Sequence, residues 1–147
     1  MPKSDPLDPD FEPRVRASFN TQQVMQAIGA RLLTVGSGEA RIELPFRSEL
    51  TQQHGYIHAG IIGTIVDSAC GYAAYTLMPA DSEVLTVEYK VNFLAPAKGE
   101  KFVAIGKAIK PGRTLTVCAG EVWAYDKSAT KQVAVMQATM MMVSKQG

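Results

Sequence analysis

The sequence predicts an α+β fold in which one antiparallel sheet of five or six strands wraps around a single long central helix. Three observations carry that expectation. Residues 59–77 are apolar on nearly every side, have the length of a helix and are followed by Pro79. Four segments downstream alternate apolar and polar residues with the period of two that a strand requires. A helix that is apolar all round has to be covered all round, and the simplest cover is a curved sheet, with any remaining face closed by a second subunit.

The elements follow in order. Residues 1–18, rich in Pro, Asp and Glu, read as a flexible tail, and they lack the basic, apolar and small-residue regions of a secretory signal. Residues 19–147 read as one domain, a size sufficient for a core without disulfides or metals. Asn20 with Gln23 resembles a capping box, and Val24, Met25 and Ile28 give a short helix its apolar face before Gly29. Beyond Ala30 the period changes. Ala40, Ile42, Leu44 and Phe46 alternate with Arg41 and Glu43, as in a half-buried strand. A polar loop over 47–56 then leads into the long helix. On the next strand Leu85, Val87, Tyr89, Val91 and Phe93 share one face, against Thr86, Glu88, Lys90 and Asn92, until Pro96 and Gly99 close it. Strands over 100–110 and 114–125 flank Pro111-Gly112, a hairpin turn in which Pro fixes φ and Gly accepts positive φ. A last strand covers 132–143.

Composition narrows the function. Fifteen basic and fourteen acidic residues are scattered, which leaves no basic stripe for nucleic acid. Cys70 and Cys118 stand in apolar surroundings without a CxxC or a Cys/His cluster, so neither a disulfide framework nor a metal site is expected. A reducing, cytoplasmic setting suits them. Residues 57–78 are apolar for roughly the 20 residues a membrane span needs. Asp67 at their centre would cost about 2.5–3.5 kcal/mol on insertion scales, and no Lys/Arg cluster flanks them, so a buried helix is the reading.

Along that helix Gly60, Gly63, Asp67, Gly71 and Ala74 recur at spacings of three or four and share one face, while Ile61, Ile65, Tyr72 and Leu77 offer bulk for packing on the sheet. An ionised carboxylate in such a position must be paired, hydrogen-bonded, protonated or open to a pocket. Asp67 is therefore either a structural aspartate, satisfied by a backbone amide or across a dimer interface, or a functional one. Small neighbours on both adjacent turns favour function. His58 lies nine residues before it, half a turn out of phase and about 13 Å away along the axis, so one chain cannot bring both to one small group. A helix N-terminus polarises a carbonyl and a carboxylate serves as a general base. Two such helices packed antiparallel about a two-fold axis bring Asp67 of one to Ala59 and Gly60 of the other, giving two composite sites per dimer.

The pattern Gln52-x-x-Gly55-x-x-His58-Ala59-Gly60, followed by Asp67, resembles the PaaI-like hotdog thioesterases. Their usual pattern is Asn-x-x-Gly-x-x-His-Gly-Gly with an acid at the same distance. The resemblance runs over residues 19–143 and includes Ala95-Pro96-Ala97-Lys98 and Lys110-Pro111-Gly112-Arg113. It implies the hotdog fold, hydrolysis of acyl-CoA thioesters, no cofactor beyond the coenzyme A of the substrate, and a homodimer or dimer of dimers. It also implies roles for particular residues. Asp67 activates water or attacks the thioester, the amides of Ala59 and Gly60 hold the oxyanion, and His58 supports this turn or contacts the thioester. Gln52 orients water or the carbonyl, Gly55 belongs to the binding turn, and Thr86 donates a supporting hydrogen bond. Ala59 replaces the middle Gly of the motif and Gln52 is one methylene longer than Asn, departures that keep each chemical group. Lys110 and Arg113 are candidates for coenzyme A phosphates, although exposed turns also carry such residues for solubility. Two rival readings stay open: a hydratase or dehydratase on the same fold, and an acyl-CoA binding protein without turnover.

Overall fold

The long helix and its sheet stand where the periodicity puts them. The structure is a computed structural model and describes residues 5–145. Its central helix, α3 (Ala59–Tyr75), starts from His58 as N-cap. Around it runs one six-stranded sheet built from β1 (Arg31–Gly36), β2 (Glu39–Pro45), β3 (Ser82–Phe93), β4 (Lys101–Lys110), β5 (Leu115–Tyr125) and β6 (Thr130–Ser144). The strand order is β1-β2-β4-β5-β6-β3, with every pairing antiparallel. After β2 the chain passes through α3 to the far side of the sheet, so β3 becomes an edge strand.

Helix and sheet meet most closely over one row of residues. Ala40, Gly106, Gly120 and Met136 lie side by side across β2, β4, β5 and β6. A Cβ on Gly106 would stand 2.3 Å from the backbone of Ala69, and one on Gly120 would stand 2.6 Å from Val66 Cγ2 and 2.8 Å from Cys70 Sγ. Larger side chains fill the core beyond one side of this row, among them Ile42, Val122, Leu44 and Phe102, all fully buried. Among the described residues no helix is long and apolar enough to cross a membrane.

The N-terminal third corrects the sequence reading. Residues 11–21 are not tail but helix α1 (Phe11–Thr21), which sends Val15 and Phe19 into the core. Residues 1–4 of the expected tail lie outside the described residues. Asn20 falls inside α1 and caps nothing, because the next helix, α2 (Gln23–Ile28), starts from Gln22. What holds α1 in place is Arg14. Its guanidinium bonds to Asp8 at 3.0 Å, donates to the carbonyls of Tyr75 and Met78 at 3.1 and 2.9 Å, and lies 4.2 Å from the centre of the Tyr75 ring. A cation thus satisfies carbonyls at the negative end of α3. The Pro- and acid-rich composition hides one half-buried cation with much to bind.

The second correction concerns β3. Thr86 pairs with Met140 and Glu88 with Thr139, so Val87 is an extra residue and the alternation slips by one. Val84 and Thr86 thereby join Tyr89, Val91 and Phe93 on the helix-facing side, opposite Met142, Met140, Ala138, Met136 and Ala134. Leu85 and Val87, expected on that side, are 58% and 54% exposed.

The row under α3 gives a direct test. Gly106→Ala drives a methyl into helix backbone that cannot swing aside, and we expect it to cost about 3 kcal/mol or more in urea denaturation. Gly36→Ala, which meets nothing within 4 Å, should stay within about 0.5 kcal/mol of the parent. Equal effects would remove the close-approach argument.

Candidate active site

The loop before α3 is built around Gly55, whose φ of 85° lies in the left-handed region. The backbone of Gln52 donates to the Tyr56 carbonyl and accepts from the Gly55 amide, at 2.8 and 3.0 Å. Its side-chain Oε1 accepts from the amides of His54 and Tyr56 at 2.6 and 3.3 Å. With both lone pairs of Oε1 engaged by the loop, Gln52 can offer the adjoining space only its Nε2 donors. His58 then caps the helix: its Nδ1 accepts from the Gly60 amide at 2.8 Å, and its carbonyl accepts from Ile61 and Ile62. In the neutral ring the proton therefore sits on Nε2. Glycine at 60 suits this cap, since a Cβ there would lie 3.0 Å from His58 Nδ1. The amide expected of Gly60 for an oxyanion is thus already engaged, and Ala59 has the one amide at the helix start without an acceptor among the described residues. Gln52, His58 and Ala59 face a cavity of about 640 Å³ closed by Ile62, Phe93 and Pro96.

Asp67 lies two turns on, half-buried, and opens to a different cavity of about 390 Å³ that it shares with Thr86, Gly71 and Tyr72. Thr86 Oγ1 donates to Asp67 Oδ1 at 2.8 Å, a contact that exists because the extra residue at Val87 turns Thr86 inward. Burial pushes the Asp67 carboxyl above the ordinary carboxylate range, and the Thr86 hydrogen bond works against that rise. The helix glycines here differ from those of the sheet. A Cβ on Gly63 or Gly71 would approach its nearest neighbour only to 4.0 or 3.9 Å. Packing does not forbid a side chain at either place, and the small face forms a groove.

The remaining candidates are placed apart from these two sets. Lys110 and Arg113 stand exposed at the β4–β5 hairpin and line neither cavity. His54 is exposed on the loop. Cys70 and Cys118 are free thiols in the core, both pushed up by burial, Cys118 to about 12, which makes them poor nucleophiles. Among the described residues no three His, Cys, Asp or Glu side chains gather as a metal site would need. The structure adds Gln22, Ser68 and Tyr72 to the Asp67 cavity, and the stretch 93–97 to the other. Gln22 was hidden because the junction of α1 and α2 carries no periodic signal of its own.

Comparison with known proteins decides the family. Residues 54–130, which run from the end of the loop through α3 and strands β3, β4 and β5, match the model of the thioesterase superfamily. The chain belongs to that superfamily. As a member it is 47% identical to a thioesterase family protein from Silicibacter pomeroyi, over 91% of this chain and 98% of the other, with a TM-score of 0.90. The PaaI protein of the E. coli phenylacetic acid degradation operon shares the same hotdog fold, with a TM-score of 0.84 at 16% identity over 95% of this chain and 97% of that one. A 1,4-dihydroxy-2-naphthoyl-CoA hydrolase of Listeria monocytogenes is 26% identical over 64% of this chain and 76% of its own.

The raised carboxyl of Asp67 has a consequence for stability. Below the ordinary Asp value of about 3.9 the group is protonated folded or unfolded. Above its raised folded value the native state must hold an ionised carboxylate that the unfolded chain solvates better, so stability falls as pH rises through that value. Asp67→Asn keeps the acceptor for Thr86 and removes the charge. Its Tm should exceed the parent's at pH 7, with the difference vanishing below pH ~4. A lower Tm at pH 7 would mean that the carboxylate is a structural partner.

Proposed function

We propose that this protein hydrolyses acyl-CoA thioesters to the free acid and coenzyme A, in the cytosol, at composite sites shared by two copies of the chain. The observation that carries the reading is the split itself: Asp67 and the open Ala59 amide belong to one helix yet face separate cavities. A base and an oxyanion donor must flank one carbonyl, and a second copy supplies the missing half.

The edge strand suggests how. β3 has 12 residues and an unpaired side, and Leu85, Val87, Tyr89, Phe93 and Leu94 are exposed along and just beyond it. Antiparallel pairing of two β3 strands centred on Lys90 keeps helix-facing residues opposite helix-facing ones and, with the extra residue at Val87, brings Thr86 beside Phe93 of the partner subunit. Thr86 lines the Asp67 cavity and Phe93 lines the His58 cavity, so the same pairing joins the two half-sites. A dimer, or a dimer of such dimers, is the working assembly.

In that site Asp67 takes a proton from water as the oxygen attacks the thioester carbon. The carbonyl oxygen gains negative charge and is met by the partner's Ala59 amide at the positive end of α3, with Gln52 Nε2 and His58 Nε2 as further donors. Collapse breaks the carbon–sulfur bond, and the proton held by Asp67 passes to the departing thiolate. Lys110 and Arg113 remain candidates for the coenzyme phosphates. Their hairpin is separated from the Asp67 cavity wall by β6, since Thr114 accepts from the Met142 amide and Met142 pairs with Val84 of that wall.

The decisive experiment mixes two inactive chains. Asp67→Ala removes the base. Ala59→Pro removes the open amide at the first helical position, where proline is best tolerated, and His58 at φ −57° and ψ 136° already has the extended backbone a following proline needs. Each alone should lower kcat by about 10²-fold or more. Co-expressed, they form mixed dimers with one intact site, and the preparation should regain about a quarter of wild-type activity. Mixed dimers as inactive as either parent would end the shared-site reading.

The pH profile tests the role of Asp67 separately. Activity needs the ionised carboxylate, so the acid limb of kcat/KM falls at the raised value of Asp67. Thr86→Val deletes the hydrogen bond that opposes the rise and should move that limb to higher pH. A limb that stays put or moves down would mean another group controls it.

A further inference from the structure

The two cavities share two walls, and one contact stands between them. On α3, Ala59 and Ile62 line the larger cavity and Asp67 and Gly71 the smaller, so Gly63 lies at the divide. On β3, Thr86 lines the smaller cavity and Phe93 the larger, which leaves Tyr89 at the divide on that side. Tyr89 faces the helix. A Cβ on Gly63 would have the Tyr89 hydroxyl oxygen as its nearest neighbour, 4.0 Å away, so the ring spans the groove from strand to helix at a point where the helix carries no side chain. No hydrogen bond engages that hydroxyl among the described residues. What Tyr89 contributes there is bulk.

The two-chain arrangement gives this contact a place. Residue 63 is midway between 59 and 67, so setting Asp67 against the partner's Ala59 brings Gly63 to the two-fold axis. Pairing of β3 centred on Lys90 brings Tyr89 to the same axis. The two reaction centres then lie about 12 Å apart along α3, with a Tyr89 ring from each chain between them. An acyl group that extends from one centre along the groove toward the other meets a ring about halfway, roughly 6 Å on. We propose that Tyr89 is a specificity-determining residue that divides this groove and so limits how far an acyl group extends along it. This rests on the thioesterase reading above. Whichever cavity holds the acyl group, loss of the ring opens the other to it.

The test compares kcat/KM for butanoyl-CoA, benzoyl-CoA and decanoyl-CoA in the wild type, Tyr89→Phe and Tyr89→Val. Phenylalanine keeps the ring, whereas valine keeps a strand-forming residue but ends well short of Gly63. The wild type should prefer the better of the two short substrates to decanoyl-CoA. Each methylene newly taken out of water favours binding by about fourfold, so Tyr89→Val should raise the ratio of decanoyl-CoA to that short substrate by about tenfold or more. Tyr89→Phe should keep the ratio within about twofold of the wild type. Both rates come from one preparation, so any weakening of the dimer cancels in the ratio. A wild type that prefers decanoyl-CoA, an unchanged ratio in Tyr89→Val or an equal rise in Tyr89→Phe would overturn the partition. Hydrolysis of none of the three thioesters by wild type or variant would overturn the thioesterase reading, and the partition with it.

Discussion

Gly106 and Gly120 face each other across β4 and β5, and the backbone of α3 at Ala69 and Cys70 rests on the gap they leave. Neither glycine can gain a Cβ without pressing into the helix, so this contact fixes both the depth of α3 in the sheet and its rotation. Rotation matters most for the site. With the Val66–Cys70 side pinned to the sheet, the small face that carries Gly63, Asp67 and Gly71 turns to the margin where β3 passes. The carboxylate then stands at a border between core and solvent, half-buried, within reach of a threonine on an edge strand. A shallower helix would leave Asp67 as an ordinary surface acid.

The two ends of α3 are held by opposite means. At its C-terminal end Arg14 brings a guanidinium to carbonyls that the helix leaves unpaired. At its N-terminal end His58 folds back and engages the Gly60 amide, while its own carbonyl engages Ile61 and Ile62. The helix start is thus almost fully satisfied by its own turn, and one amide is left over. An oxyanion site made from a single backbone donor needs help from side chains, which gives Gln52 Nε2 and His58 Nε2 a role that an uncapped helix would not require. In the proposed mechanism the same ring serves twice, capping the helix through Nδ1 and meeting the carbonyl through Nε2.

What was legible in the sequence divides along the same physical line. α3 and the strands after it were readable because each has a strong local period, and the loop over 47–56 because its polar residues interrupt that period. Asp67 could be singled out because it is the one charge on an apolar helix. Tertiary contacts leave no such trace. The buried role of Arg14 depends on carbonyls more than sixty residues away, and the residues around it read as a polar tail. Gln22 is informative only beside Ser68 and Tyr72, which lie on another helix. The slip at Val87 is hardest to foresee, since strict alternation through Leu85, Val87 and Tyr89 is the strongest local pattern and the pairing with β6 overrides it.

That slip also bears on the role proposed for Asp67 as a base. A carboxylate in water is too weakly basic to take a proton from water efficiently, and burial strengthens it by raising its pKa, but burial carried too far leaves it protonated at working pH. The useful range lies between. Thr86 supplies the counterweight, because its hydroxyl stabilises the ionised form without adding a charge to the groove. With Val87 in the chain and Tyr89 on the helix side, the slip in pairing is what returns Thr86 to that side. Strict alternation through a retained Val87, with Tyr89 still facing the helix, would turn Thr86 away from Asp67. The exposed apolar side chains the slip leaves behind, Leu85 and Val87, lie on the strand that the two-chain arrangement uses. In the proposed two-chain arrangement, one extra residue in an edge strand thereby adjusts the base and marks the surface where the second chain sits.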